Sequence, residues 1–148
     1  MLREPQTLTR GPEQVLGAIS WVLLIAVMFG GESLLRMLSS GEGMAAHEEQ
    51  FFRAGHGHAG VLTIIGILYS SYLGKTLLSN RVKVIAWSLY ALGVGMLAGG
   101  MFLHAYIGEP DSSSTGTSLT AVGGVVLAGA VLFLACNLVR NPKSGETS

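Results

Sequence analysis

Four long apolar stretches alternate with short polar segments along the chain, covering residues 15–38, 54–74, 84–107 and 119–139. Only Glu32 and Arg36 in the first, and histidines in the second and third, interrupt them with titratable groups. Each is near or above the roughly 20 residues a helix needs to cross ~30 Å of hydrocarbon. Lipid offers backbone groups no hydrogen-bond partners, so segments of this kind are helical. Four buried helices of a water-soluble bundle would instead carry a polar face studded with Lys and Glu, and these stretches carry none. The pattern predicts an all-α, integral-membrane four-helix bundle forming a single domain over residues 1–148.

Composition agrees. Apolar residues make up 49% of the chain and charged residues 12%, against about 25% charged in an ordinary soluble domain. Mean hydropathy is +0.51. The leader MLREPQTLTRGPEQ mixes acids with bases, and the apolar run behind it exceeds the usual 7 to 15 residues of a signal peptide, so the first stretch is expected to be a retained span. A zero formal net charge without basic clusters argues against nucleic-acid binding. One cysteine, Cys136, excludes an intramolecular disulfide. With four spans, seven of the nine basic residues (Arg3, Arg10, Lys75, Arg81, Lys83, Arg140 and Lys143) share one side with both termini. The positive-inside bias makes that side cytoplasmic.

The connections differ in character. The first outer loop is Gly-rich and then reads MAAHEEQFFRA, a helix-forming composition expected along the membrane interface. The inner loop around LSNRVK is short and makes spans two and three an antiparallel hairpin, while the second outer loop, GEPDSSSTGTS, carries no chemistry legible from its residues. Glycines crowd the third and fourth spans, and Gly95 and Gly99 form a GxxxG pair of the kind that lets helices approach closely, within the bundle or between copies. A flat ligand would also need a groove free of side chains, and Gly100 lies one turn from His104 on its face. Trp21, Trp87, Tyr69 and Tyr72 lie towards the inner ends of their spans, where aromatic belts gather.

All four histidines fall in the outer half. If Phe52 marks the interface, His58 lies roughly 9 Å inside it at ~1.5 Å per residue, and His104 on the antiparallel third helix falls at a comparable depth, with Glu32 and Arg36 in the same layer. An ionisable residue inside a membrane is a functional-site hypothesis by default. His56 and His58 are about 200° apart around a helix, so one faces inward and the other outward; His58, deeper and followed by Ala59 and Gly60, is the preferred ligand. Four uses compete: hydrogen bonds between helices; zinc or copper held by His56, His58 and His104 with Glu32 or Glu48; a proton relay through Glu32, His58 and His104; and haem, which needs one or two imidazoles and a flat apolar slot near Met101, Phe102 and Tyr106.

The stretch FFRAGHGHAGVLTIIGILY resembles the second helix of small four-helix membrane proteins that look like a fragment of haem–copper oxidase subunit I, which opens with an Arg, a small residue and a His-x-His pair. It is also similar to styrene oxide isomerase, a four-span membrane enzyme family in which Arg-Ala-His-Ser-Gly precedes the second span. His58-Ala59-Gly60 matches the His-Ser-Gly order, and Arg53-Ala54 matches the preceding pair with Gly55, His56 and Gly57 as an insertion. The resemblance implies that His58 is the axial ligand of haem b, whose ferric iron acts as a Lewis acid opening an epoxide to an aldehyde. The family's Asn after that motif and its acidic residue in the third span have no counterparts here; the positions carry Leu62 and Thr63, and the third helix reads AWSLYALGVGMLAGGMFLHAY.

Together these features lead to the expectation of a membrane haem b protein of a bacterial plasma membrane. His58 is the preferred iron ligand and His104 or His56 the second candidate. Arg53 is suited to a propionate through its charged fork, Gly100 to the slot, and Tyr106 and Glu32 to polar contacts. The function is isomerisation of a small apolar substrate or, with two axial histidines, electron transfer, with assembly of copies through the Gly-rich faces. The alternative is a non-catalytic membrane subunit whose histidines are structural or bind a transition metal.

Overall fold

A computed structural model describes residues 11–40 and 44–140. Four helices follow one another: α1 (Pro12–Ser39), α2 (Ala46–Leu73), α3 (Asn80–Ile107) and α4 (Thr115–Arg140). Their starts follow local chemistry. Pro12 opens α1, where a missing N–H costs nothing and the fixed φ suits the helix. The side chain of Glu48 reaches back to the Ala45 N–H at 3.0 Å at the start of α2. Among the described residues there is no strand.

Three of the four helices, α1, α3 and α4, are long and apolar enough to cross a membrane. The fourth, α2, has the length, but its outer half carries Glu48, Glu49, Arg53 and three histidines. Of the segment MAAHEEQFFRA, residues from Ala46 onward form the continuous first part of α2. Apolar side chains turned outward are abundant, as lipid permits: α1 buries only Leu16 and Ser20 and exposes Trp21, Met28 and Phe29.

The helices pack in chain order. The α3–α4 interface is the most extensive, α2 packs on α3 and α1 on α2, with lesser contacts between α1 and α3 and between α2 and α4. The described parts of α1 and α4 do not meet, so the arrangement is open along one side rather than a closed four-helix bundle. At its centre is a polar-tipped aromatic pair. Tyr69 and Tyr90 stack with ring centroids 4.6 Å apart. The Tyr69 hydroxyl donates to Ala130 O of α4 at 3.0 Å and the Tyr90 hydroxyl to Leu62 O of α2 at 2.7 Å. Tyr69 is 3% exposed, so it is core and not part of an aromatic belt. Trp87 also packs against this core, with its Nε1 occluded and without a hydrogen-bond partner among the described residues. At the inner end, buried Lys83 of α3 lies 3.5 Å from Glu13 in the first turn of α1.

Glycines set the α3–α4 distance, though not the pair that the GxxxG pattern pointed to. A Cβ on Gly93 would meet Leu127 N at 2.8 Å, one on Gly100 would meet Gly116 O at 2.6 Å, and one on Gly123 would meet Leu97 N at 2.5 Å. Backbone faces backbone there. Gly93 and Gly100, like Gly116 and Gly123, are two turns apart and so share a face. Gly95 and Gly99 have open space beyond them and take no part in this contact. Gly93→Val and Gly123→Val are therefore expected to destabilise the protein by roughly 1–3 kcal/mol through overpacking, and Gly95→Ala and Gly99→Ala to be near neutral, in equilibrium unfolding from detergent micelles. Removing the hydroxyl in Tyr69→Phe should cost about 1 kcal/mol in the same assay.

Candidate functional site

The first part of α2 and the last turn of α3 hold all four histidines, as the chain order implied, but helix register and rotation separate them. His56 faces α1: a Cβ on Gly31 would lie 2.7 Å from His56 Nε2, so the missing side chain at Gly31 is what admits the imidazole. His58, two residues on, is exposed on another side of α2. It lines an apolar groove of about 390 Å³ with Arg53, Ala54, Gly57, Val61 and Leu62. His104, in the last turn of α3, is 3% exposed and packs edge-on against Phe51 with centroids 4.1 Å apart.

The two rings differ in their protons. His58 Nδ1 lies 2.8 Å from Ala54 O. A carbonyl only accepts, so Nδ1 carries the hydrogen and Nε2 keeps a bare lone pair in the neutral ring. For His104 the partner is the Ser114 hydroxyl, 2.7 Å from Nδ1. Ser114 Oγ also receives backbone N–H groups from Gly116 at 3.1 Å and Thr117 at 3.4 Å, which caps α4. Those two bonds use both lone pairs of the hydroxyl, leaving its hydrogen to donate to Nδ1. The neutral His104 therefore carries its own hydrogen on Nε2. One histidine presents an acceptor and the other a donor.

Other expected site residues are engaged elsewhere. Gly100 is closed against Gly116 and Thr120 of α4 and leaves no slot beside His104. Phe102 packs on Gly55, with its ring 3.1 Å from where a Cβ would be. Tyr106 is 72% exposed and meets Phe52 edge-on at 5.1 Å. Glu32, next to the Gly31 that packs on His56, pairs with Arg36 at 2.9 Å on the exposed surface of α1. Arg53 pairs with Glu49 at 2.7 Å beside the His58 groove. Surface pairs of this kind are weak, so the guanidinium is open to a better anionic partner.

The described residues contain no group of three or more His, Cys, Asp or Glu side chains that could hold a metal ion, so the zinc or copper set of His56, His58 and His104 with Glu32 or Glu48 is not assembled. A single axial imidazole is a different requirement. His58 meets it: a fixed ring, a bare Nε2, apolar walls, and Gly57 with no neighbour within 4 Å of a Cβ built on it. The residues around His58, all on α2, offer haem one imidazole on an exposed, largely apolar helix face. His104 lines a separate cavity and does not share the His58 groove.

No protein-family model, curated protein or solved structure matches this chain. Sequence reasoning missed Ser114, in the loop set aside as carrying no chemistry. The legible signal was the run Ser114-Thr115-Gly116-Thr117 ahead of an apolar stretch, a helix-start pattern. It also passed over Gln50 and Asp111, which line the His104 cavity together with His47. Ser114→Ala is expected to cost about 1 kcal/mol through loss of the α4 cap and to free His104 to populate both neutral tautomers, read from side-chain nitrogen NMR of the histidine-labelled protein.

Proposed function

We propose that the chain is an integral-membrane haem b protein with four spans and both termini cytoplasmic, in a bacterial plasma membrane, and that His58 is the one histidine bound to iron. The observation that carries this reading is the 2.8 Å bond from His58 Nδ1–H to Ala54 O, which holds the ring with Nε2 bare in an apolar groove. Backbone acceptors of this kind orient metal-binding imidazoles and raise their basicity. The separate surroundings of His58 and His104 favour one axial histidine over two. That in turn favours catalysis over electron transfer.

When bound, the haem supplies a ferric Lewis acid with a free coordination position, suited to opening a strained ether such as an epoxide. The chain's own residues do the rest. Ala54 O fixes the tautomer and direction of the His58 ring. Val61 and Leu62 give apolar walls to a small substrate that partitions from the bilayer, and Gly57 leaves the face beside the ring clear. Arg53 can exchange Glu49 for a propionate, an ion pair of the same charge type. Gly95 and Gly99, turned outward, are available for assembly of copies.

A second reading, a non-catalytic membrane subunit with structural histidines, draws on the packing of His56 against α1 and of His104 against Ser114 and Phe51. Absorption spectra of the detergent-purified protein, oxidised and dithionite-reduced, separate the two. The haem reading expects a Soret band with a broad, five-coordinate reduced spectrum, lost in His58→Ala and retained in His104→Gln. A sharp reduced α-band would mean two axial ligands and electron transfer. A colourless protein after expression with ample haem supply would leave the structural reading.

A further inference from the structure

A second cavity is more polar than the His58 groove. It opens at the outer end, between the start of α2, the end of α3 and the loop before α4, and measures about 650 Å³. His104 forms part of its wall, with His47, Gln50, Asp111, Ser112 and Thr117 as the other polar groups and Phe51 and Pro110 among the apolar ones. His104 is buried, its Nδ1 is bound by Ser114, and its Nε2 has no hydrogen-bond partner among the described residues and is not sealed off. The lone-pair count at Ser114 puts a hydrogen on that nitrogen. A donor whose ring is held by a helix cap thus belongs to the wall of an open polar chamber.

The charge around it narrows the ligand. Among the described residues no Lys or Arg lines the cavity, and the Asp111 carboxylate does. The nearby acids Glu48 and Glu49 are engaged by the Ala45 N–H and by Arg53. An anion brought here would meet the Asp111 carboxylate with no Lys or Arg to offset it. A strongly hydrogen-bonding neutral oxygen would meet no such penalty, and Asp111 or the Gln50 carbonyl offers acceptors for any N–H the ligand carries. Phe51 and Pro110 suit a flat apolar body.

We infer that this outer cavity binds a small uncharged carbonyl compound, its oxygen accepting a hydrogen bond from His104 Nε2–H and its flat apolar part lying against Phe51 and Pro110. The site is distinct from the His58 groove and stands whether or not that groove holds haem.

The test uses the full-length, detergent-purified protein with nitrogen-labelled histidine, titrated with benzamide and, in parallel, with benzoate and toluene. The expected result is that free His104 carries its proton on Nε2 and that benzamide shifts this resonance saturably. Benzoate should bind at least about tenfold more weakly, and toluene should leave the resonance unmoved. Gln50→Leu, at an exposed position that the fold does not depend on, should weaken benzamide binding about five- to tenfold, the effect of one lost hydrogen bond. A proton on Nδ1 of the free ring, equal binding of benzamide and toluene, equal binding of benzamide and benzoate, or a benzamide response at His58 in place of His104 would each overturn the assignment.

Discussion

The contact on which the rest of the structure depends is the backbone-to-backbone approach of α3 and α4, made where Gly93 and Gly100 face Leu127 and Gly116, and Gly123 faces Leu97. In lipid no hydrophobic gain drives helices together; close van der Waals packing over small residues does. At this separation Tyr69, reaching across from α2, can bond Ala130 O while stacking on Tyr90, so a third helix is locked onto the first two. The start of α4 is also drawn beside the last turn of α3, where Ser114 meets His104. The first helix adds to α2 and touches α3 at its inner end, through Glu13 and Lys83.

That packing also decides the rotation of α2, and with it what each histidine can do. Turning Gly55 towards Phe102 carries His56 to α1 and leaves His58 on an open face. Identical side chains then receive opposite chemistry from their partners. A backbone carbonyl leaves His58 with a free lone pair, the form that can bind iron. A hydroxyl whose lone pairs are already spent on a helix cap leaves His104 with a free N–H, the form that can hold an oxygen. The histidine-bearing end of the molecule therefore presents two separate chambers, one apolar and on the exposed face of α2, the other polar and beside the connecting loop.

Much of the architecture was legible from pattern. Apolar runs of near-membrane length place the helices, and the tight inner loop makes α2 and α3 antiparallel. The partners of the glycines were not legible: the GxxxG spacing singled out Gly95 and Gly99, but spacing says only that two residues share a face, and the neighbour's position decides whether that face is the packed one. Tyr69 looked like a belt residue by its place near a span end, yet its hydroxyl is satisfied by a carbonyl of another helix. Placing His58 and His104 at one depth did not hold: His104 packs on Phe51 and Phe102 on Gly55, so His58 lies about two turns further along α2. Helix rotation separates the two rings further, and neither the register nor the azimuth is legible from spacing.

By itself, then, the sequence determined that this chain is helical, that three of its helices are long and apolar enough to cross a membrane, and that its histidines gather at one end. These properties follow from local composition and the rise per residue. Tertiary structure alone decided which glycines form the seam, which histidine is exposed, which ring nitrogen carries each hydrogen, and that His104 shares a chamber with Gln50 and Asp111. Those outcomes depend on hydrogen-bond partners supplied by other helices and loops, and on rotations about helix axes that only packing fixes.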